Sequence, residues 1–255
     1  MKKFELTQET KLFLGKTLYR IKALISFGSV SAGDIGGWIE KEENLSQNGN
    51  AWVSGNACVS GNAWVSGNAC VSGNAWVSGN AWVSGNASVF GNARVFGNAR
   101  VFGNARVFGN ASVFGNASVF RNASVSGNAS VSGNASVSGN ACVSGNARVS
   151  GNAWVSGNAS VFGNARVFGN ARVFGNAHIM WISKIGSRND TITFMRSKEL
   201  KIIVIVGCFE GSIEEFEEKV KKTHGENEHA KAYNLAVQLA KLRIDLTEVE
   251  DARND

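Results

Sequence analysis

Few side chains of this sequence could act as a base or a nucleophile. The three histidines are His178, His224 and His229. Cys208 and His224 could form a nucleophile and base pair, but Cys208 lies in the apolar run 202–209 and we expect it in the core. His224 and His229 fall at predicted helix ends, where a histidine is more often a surface residue than a base. We therefore predict no catalytic residue.

Cofactor and metal motifs are also missing from the sequence. There is no phosphate-binding loop, no dinucleotide fingerprint and no paired-carboxylate site. No Cys-x-x-Cys motif or Cys/His cluster has metal-ligand spacing. We expect neither a cofactor nor a metal.

Arginine and phenylalanine recur together at one spacing. The triplets 94–96, 100–102 and 106–108 each read Arg-x-Phe. Ion pairing, stacking and cation–π contacts would suit a planar anion such as a nucleotide or single-stranded nucleic acid. The alternative is that repeat units duplicate in blocks, so that these residues record copying history, and Phe is also a good strand former. The predicted ligand- or partner-binding residues are Arg94, Arg100, Arg106, Phe96, Phe102, Phe108, Arg148, Arg166, Arg172, Trp64, Trp82 and Arg188.

A six-residue repeat must position most of these side chains. Twenty-two tandem copies of Gly-Asn-Ala-x-Val-(Ser/Phe) run from Gly49 to Met180, broken only by Arg121 and by the last two residues. Units this small must stack to bury a core. Ala and Val lie two apart and point inward, while x and Ser/Phe point outward. Gly-Asn makes the corner, and three sides close a triangular coil of eighteen residues.

The sequence predicts an all-β solenoid of about seven coils with two caps. We place a small β cap at 1–48, the repeat at 49–180 and an α+β cap at 181–255. The latter contains strands at 191–194 and 202–209 and two helices, a ββαα unit. A capping box at Ser212 opens the first helix, which ends near Gly225. The second helix, about 228–246, shows an apolar stripe of Ala232, Leu235, Ala236, Leu239 and Leu242.

Two resemblances follow from these motifs. The pattern of 53–58, Val-Ser-Gly-Asn-Ala-Cys, resembles the hexapeptide repeat of left-handed β-helix proteins, many of which are acyltransferases and trimers. That resemblance implies a left-handed coil. The segments 18–24, 33–40 and 185–191 resemble phage and prophage proteins of gut bacteria that share this arrangement of cap, GNA array and α/β segment. This second resemblance spans nearly the whole chain and implies no activity.

An acyltransferase of the hexapeptide group is expected to have a histidine base and a protruding loop that binds the acyl donor. The array has no insertion, and its only histidine is His178, predicted at an outward x position in the final coil. The polar run 186–191, which contains Arg188, reads as a loop leaving the solenoid, where a ligand could bind.

Tryptophan and cysteine also occupy outward positions. Trp64 and Trp82 are predicted to stack on one side and could anchor a partner, a sugar or another subunit. Cys70 and Cys142 share a side but lie four coils, about 19 Å, apart, too far for a disulfide. Free thiols suit a reducing compartment, and residues 1–9 lack the apolar run of a signal peptide. We expect a cytoplasmic protein of a bacterial host that does not contact the membrane.

Net charge is concentrated in the array. The chain has 26 basic and 20 acidic residues, for a net charge of +6. The array holds seven arginines and no Lys, Asp or Glu, so the flanks together carry −1. A field of one sign bears on partners rather than on folding.

The function predicted from these features is that of a non-enzymatic binding or scaffold protein, phage or prophage encoded. It would present Arg, Phe and Trp to a host macromolecule or an anionic ligand, as a homo-oligomer. The resemblance to hexapeptide-repeat enzymes implies a trimer. One alternative is a hexapeptide acyltransferase. Another is a phage inhibitor that sequesters or blocks a host factor.

Overall fold

The computed structural model describes residues 1–248 and shows a β-solenoid of about eight turns. Each repeat unit supplies one two-residue strand formed by x and Val, and strands eighteen residues apart pair in parallel. Three flat sheets result, which we name by their first x residue: the Trp52 face, the Cys58 face and the Trp64 face.

The twenty-one array strands divide equally among the faces. The Trp52 face contains β4 (Trp52–Val53), β7 (Cys70–Val71), β10 (Ser88–Val89), β13 (Arg106–Val107), β16 (Ser124–Val125), β19 (Cys142–Val143) and β22 (Ser160–Val161). The Cys58 face contains β5 (Cys58–Val59), β8 (Trp76–Val77), β11 (Arg94–Val95), β14 (Ser112–Val113), β17 (Ser130–Val131), β20 (Arg148–Val149) and β23 (Arg166–Val167). The Trp64 face contains β6 (Trp64–Val65), β9 (Trp82–Val83), β12 (Arg100–Val101), β15 (Ser118–Val119), β18 (Ser136–Val137), β21 (Trp154–Val155) and β24 (Arg172–Val173).

The core of the solenoid is made of Ala and Val, which confirms the predicted register. Every Ala and Val from Ala51 to Val173 is at most 1% exposed. The corners need glycine: Gly115 has φ of 71°, and a Cβ there would lie 3.1 Å from the backbone N of Gly133 in the next coil. Outside each corner the Asn side chains form a ladder, as where Asn116 Nδ2 donates to Asn134 Oδ1 at 3.0 Å.

The N-terminal segment forms a β hairpin and adds a turn to the coil. Strands β1 (Phe4–Phe13), β2 (Lys16–Ala23) and β3 (Ile35–Ile39) are antiparallel, and β3 then pairs in parallel with β5. A short 3-10 helix (Glu42–Asn44) precedes a bridge between Leu45 and Val65. Seven array coils plus this turn account for the eight.

The C-terminal segment is a four-stranded antiparallel sheet with two helices. Its strands are β25 (Ile179–Ile185), β26 (Asp190–Arg196), β27 (Ile202–Val206) and β28 (Phe209–Ser212), followed by α1 (Ile213–His224) and α2 (Glu228–Arg243). The predicted capping box is present, with Ser212 Oγ accepting from Glu215 N. The predicted strand 202–209 is wrong in one respect, because Gly207 and Cys208 form a turn that divides it into β27 and β28.

Three predictions about side-chain placement are wrong. Cys208 is exposed at the β27–β28 turn and not in the core. His178 is 5% exposed and not outward, because the last repeat copy forms a 3-10 helix (Asn176–His178) and the start of β25. On α2, Leu235, Leu239 and Leu242 of the predicted stripe face solvent, whereas Ala236 of the stripe is buried and Ala232 is half-buried against the core.

Several predictions are not tested by the fold. The cap boundaries at 48/49 and 180/181 and the left-handed winding remain predictions, and residues 249–255 of the C-terminal cap lie outside the described part. Neither α1 nor α2 has the length and apolar composition of a membrane-spanning helix.

Candidate functional site

The three Arg-x-Phe triplets lie on one coil but on three different faces. Arg94 is on the Cys58 face, Arg100 on the Trp64 face and Arg106 on the Trp52 face. All three side chains are exposed. They form a basic ring around the rod, so one small ligand cannot touch all of them.

The phenylalanines of this ring stack in pairs along the rod, as predicted. The ring centroids of Phe90 and Phe108 are 5.0 Å apart, those of Phe96 and Phe114 4.9 Å, and those of Phe102 and Phe120 5.0 Å. The paired rings are within 4° of parallel. Strand pairing sets this spacing, and stacking uses the faces that the two rings turn toward each other.

One face of the first ring in each pair is not covered by a second ring. On the Trp64 face, Phe102 stacks above Phe120, but the same position one coil earlier is Ser84. Serine is too short to cover a phenyl ring, so a shallow depression, which we call the step, is left next to the uncovered face of the Phe102 ring. Phe102 is accordingly 37% exposed.

Two exposed tryptophans lie on the same face as Phe102. Trp82 is the strand partner of Arg100, and Trp64 stacks on Trp82 with centroids 5.6 Å apart. Trp64 and Trp82 are 43% and 40% exposed. Trp82 Nε1 donates to Ser66 Oγ at 3.3 Å, a bond to the preceding coil. The Trp64 face therefore presents two tryptophans, Arg100 and Phe102 as exposed side chains on three consecutive coils.

The N-terminal segment packs against the corresponding tryptophans of the other two faces. Trp52 is 7% exposed and packs edge to face against Phe4 and Phe27. Trp76 packs edge to face against Phe13, with centroids 5.6 Å apart. Trp52, Trp76 and Trp64 occupy the same position of the repeat, and they differ in burial only because of contacts with residues distant in the sequence. The repeat pattern therefore could not predict which tryptophan is exposed.

A second basic site lies where the Cys58 face meets the C-terminal sheet. Arg148 and Arg166 are strand partners, as predicted, and line a polar recess of about 340 Å³ with Asn146, Asn164 and Thr191. Arg166 Nη1 donates to Gly207 O at 2.9 Å, and its guanidinium lies 5.0 Å from the Phe168 ring centroid. Arg148 is exposed. Stacked like charges favour an anion between them, and the acidic residue Asp190 also lines this recess.

Arg172 and Arg188 are not part of either group. Arg172 Nη1 donates to the carbonyl oxygens of Asn152 and Ala171, at 2.9 and 3.2 Å, so it supports the last coil. Arg188 lines a separate cavity of about 230 Å³ in the C-terminal unit, together with Cys208, His224 and Tyr233. Burial, and then Asp190, raise the pKa of Tyr233, while Arg188 lowers it.

His178 is placed as a structural residue. Its Nδ1 accepts a hydrogen bond from Phe174 N at 3.0 Å. Burial, and then the nearby Arg196, lower the pKa of His178 and favour the neutral ring. Residues 1–248 contain no group of three or more His, Cys, Asp or Glu side chains with the geometry to hold a metal ion.

The repeats match a family model. Five segments of the array are similar to the YdcK beta-solenoid repeat, namely residues 51–67, 63–79, 99–115, 141–157 and 165–179. This chain is a β-solenoid repeat protein. No curated protein matches it at a significant level.

Proposed function

We propose that the protein is a non-enzymatic binding scaffold whose Trp64 face holds an anionic chain carrying planar groups, the chemistry of single-stranded nucleic acid. The observation that carries the proposal is the exposure of Trp64, Trp82, Arg100 and Phe102 on three consecutive coils of one face. Bases stack on aromatic rings regardless of sequence, while arginine neutralises phosphate. The step beside Phe102 offers an uncovered ring face next to a cation.

The setting of this binding follows from the phage resemblance. We propose a phage- or prophage-encoded protein that acts in the bacterial cytoplasm on a host macromolecule. The basic array supports this because its seven arginines are unopposed by acidic residues within the repeats. If the ligand is a host protein instead of a nucleic acid, binding to the same face would block that host factor.

The single-coil ring of arginines supplies matched controls for a test. Arg100→Ser, Arg94→Ser and Arg106→Ser remove the same charge from the same coil, and Ser already occupies the next x position in each of the three columns. Binding of a labelled oligothymidine would be followed by fluorescence anisotropy over a range of salt concentrations. We expect Arg100→Ser to lower the salt slope by about 0.7 and the other two variants to change it little.

Trp82→Ser should weaken oligothymidine binding by about 1–3 kcal/mol, the loss typical of one stacked base. Inorganic polyphosphate, which has the charge without the planar groups, should bind more weakly than oligothymidine and respond only to the arginine changes. Equal loss with all three arginine variants would exclude a site on one face. If neither polymer binds at low salt, the arginine and phenylalanine blocks are a record of copying.

The acyltransferase alternative makes a different prediction. It requires saturable binding of a coenzyme A thioester that is lost in a variant of the base. Because His178 is buried and its Nδ1 already accepts a hydrogen bond, it lacks the access that such a base needs. Calorimetry with acetyl coenzyme A distinguishes the two functions.

A further inference from the structure

Helix α2 has two apolar faces on opposite sides. The face that packs on the C-terminal sheet and α1 contains Ala230, Tyr233, Ala236, Val237 and Ala240, all buried. On the other side Leu235, Leu239 and Leu242 are 66%, 44% and 83% exposed. Three leucines aligned on one helix are not the scattered apolar residues of an ordinary surface.

The exposed leucines have the spacing of a helix-pairing seam. We define the outer stripe as Leu235, Leu239 and Leu242, whose successive separations are four and three residues. This alternation keeps apolar side chains on one line of a helix and is the a/d pattern of two-stranded coiled coils. The outer stripe is therefore suited to receive another helix.

We propose that the outer stripe joins two copies of this chain through antiparallel α2 helices related by a two-fold axis. The charges at the two ends of the helix select this arrangement. Glu228 in the first turn is 89% exposed in its side chain, and Arg243 in the last turn is exposed. Antiparallel pairing brings Glu228 of one copy to the Arg243 end of the other, twice. Parallel pairing would place like charges together.

The side-chain sizes of the outer stripe fit the same arrangement. A pairing centred on residue 237 sets Leu235 opposite Leu239 of the second copy. It sets Leu242 opposite Ala232, a small half-buried residue at the edge of the stripe that also packs against the C-terminal core. Each layer then contains two a/d residues, as in antiparallel coiled coils. The helix dipoles also oppose each other favourably. Residues 249–255 do not match the stripe, since four of the seven are charged.

The size of the interface sets its strength. A helix of 16 residues is about 24 Å long, so the contact is smaller than a standard stable interface. The dimer is therefore weak, and we expect a dissociation constant in the micromolar range or above. This inference does not depend on the proposed function, because no residue of the Trp64 face takes part.

Sedimentation equilibrium of the full chain over a range of concentrations tests the inference. We expect a reversible monomer and dimer equilibrium. The triple variant Leu235→Gln, Leu239→Gln, Leu242→Gln should raise the dissociation constant by more than about tenfold. Glutamine is a good helix former, so the helix should persist, and circular dichroism checks this. The matched control is Leu12→Gln with Leu14→Gln, which removes two leucines that are 77% and 66% exposed on the N-terminal hairpin.

Charge reversal tests the antiparallel orientation separately. Arg243→Glu should weaken the dimer, and adding Glu228→Arg in the same chain should restore it, since both ends then regain opposite charges. Parallel helices would show no rescue. A wild-type chain that stays monomeric, a trimer, or a dimer that survives the triple leucine variant would each overturn the proposal.

Discussion

Lys3 carries a positive charge into the N-terminal end of the solenoid. Its side chain is 2% exposed, and Nζ donates to the carbonyl oxygens of Ala51 at 2.9 Å and Gly49 at 3.4 Å. Nζ also lies 4.9 Å from the Phe27 ring centroid. These contacts favour the charged form, but burial outweighs them and lowers the pKa of Lys3 to about 8.

This depressed pKa predicts a pH-dependent stability. Between about pH 8 and 10.5 the unfolded chain holds the Lys3 proton and the folded chain loses it, so the free energy of unfolding rises with pH. The slope from this group approaches roughly 1.4 kcal/mol per pH unit at most. The free energy of unfolding of the wild type and of Lys3→Met would be measured in urea across this pH range. The difference between their two slopes against pH is the contribution of Lys3.

The variant Lys222→Met, at an exposed position on α1, is the control for loss of a lysine. Other groups titrate in this range in all three proteins, so they cancel in the comparison. If Lys3→Met and wild type show the same slope, burial does not displace the Lys3 proton.

At the scale of elements, the repeat could be predicted in detail but its ends could not. An eighteen-residue period fixes which side chains stack, so the Phe pairs and the Arg148 and Arg166 partnership followed directly. Trp52 and Trp64 hold identical repeat positions, and only contacts with Phe4 and Phe27 bury one of them. A local pattern cannot contain such contacts.

The buried face of helix α2 also could not be predicted from the local sequence pattern. Leucine is more apolar than alanine, yet three of the five buried residues of this helix are Ala230, Ala236 and Ala240. Alanine side chains let a helix pack closely on its neighbours, and the three leucines lie exposed on the opposite side. The turn at Gly207 likewise interrupts an apolar run that reads as one strand.

The stacked phenylalanines should contribute measurable pairwise energy. We expect a double-mutant cycle of Phe96→Ser and Phe114→Ser to give a coupling of about 0.5–1 kcal/mol in urea unfolding. Ser occupies the same position in neighbouring coils, so the backbone should not change. Phe96 with Phe162, which lies on another face, is the control pair and should be additive. Additivity within Phe96 and Phe114 would contradict stacking.

At the scale of the whole molecule, the rod behaves as a series of equal layers. Each coil adds three inward Ala and three inward Val residues and contacts only the coils above and below. Stability in such a protein is a sum of repeat and neighbour terms. Adding a whole coil of eighteen residues therefore leaves each following residue on its original face. Adding a single six-residue unit moves every following residue to the neighbouring face.

Two native cysteines allow this layer rule to be measured. Cys70 and Cys142 lie in one column of the Trp52 face, about 19 Å apart at strand spacing. Duplicating residues 124–141 adds one whole coil between them, and we expect the separation to rise by about 4.8 Å. Duplicating only residues 136–141 should move Cys142 to a neighbouring face while the chain stays folded. Spin labels on both cysteines would report the distances, with Cys208→Ser in every variant and Cys58 left buried. A separation unchanged by the eighteen-residue duplication would mean that the added segment loops out and that the coil is not an additive stack.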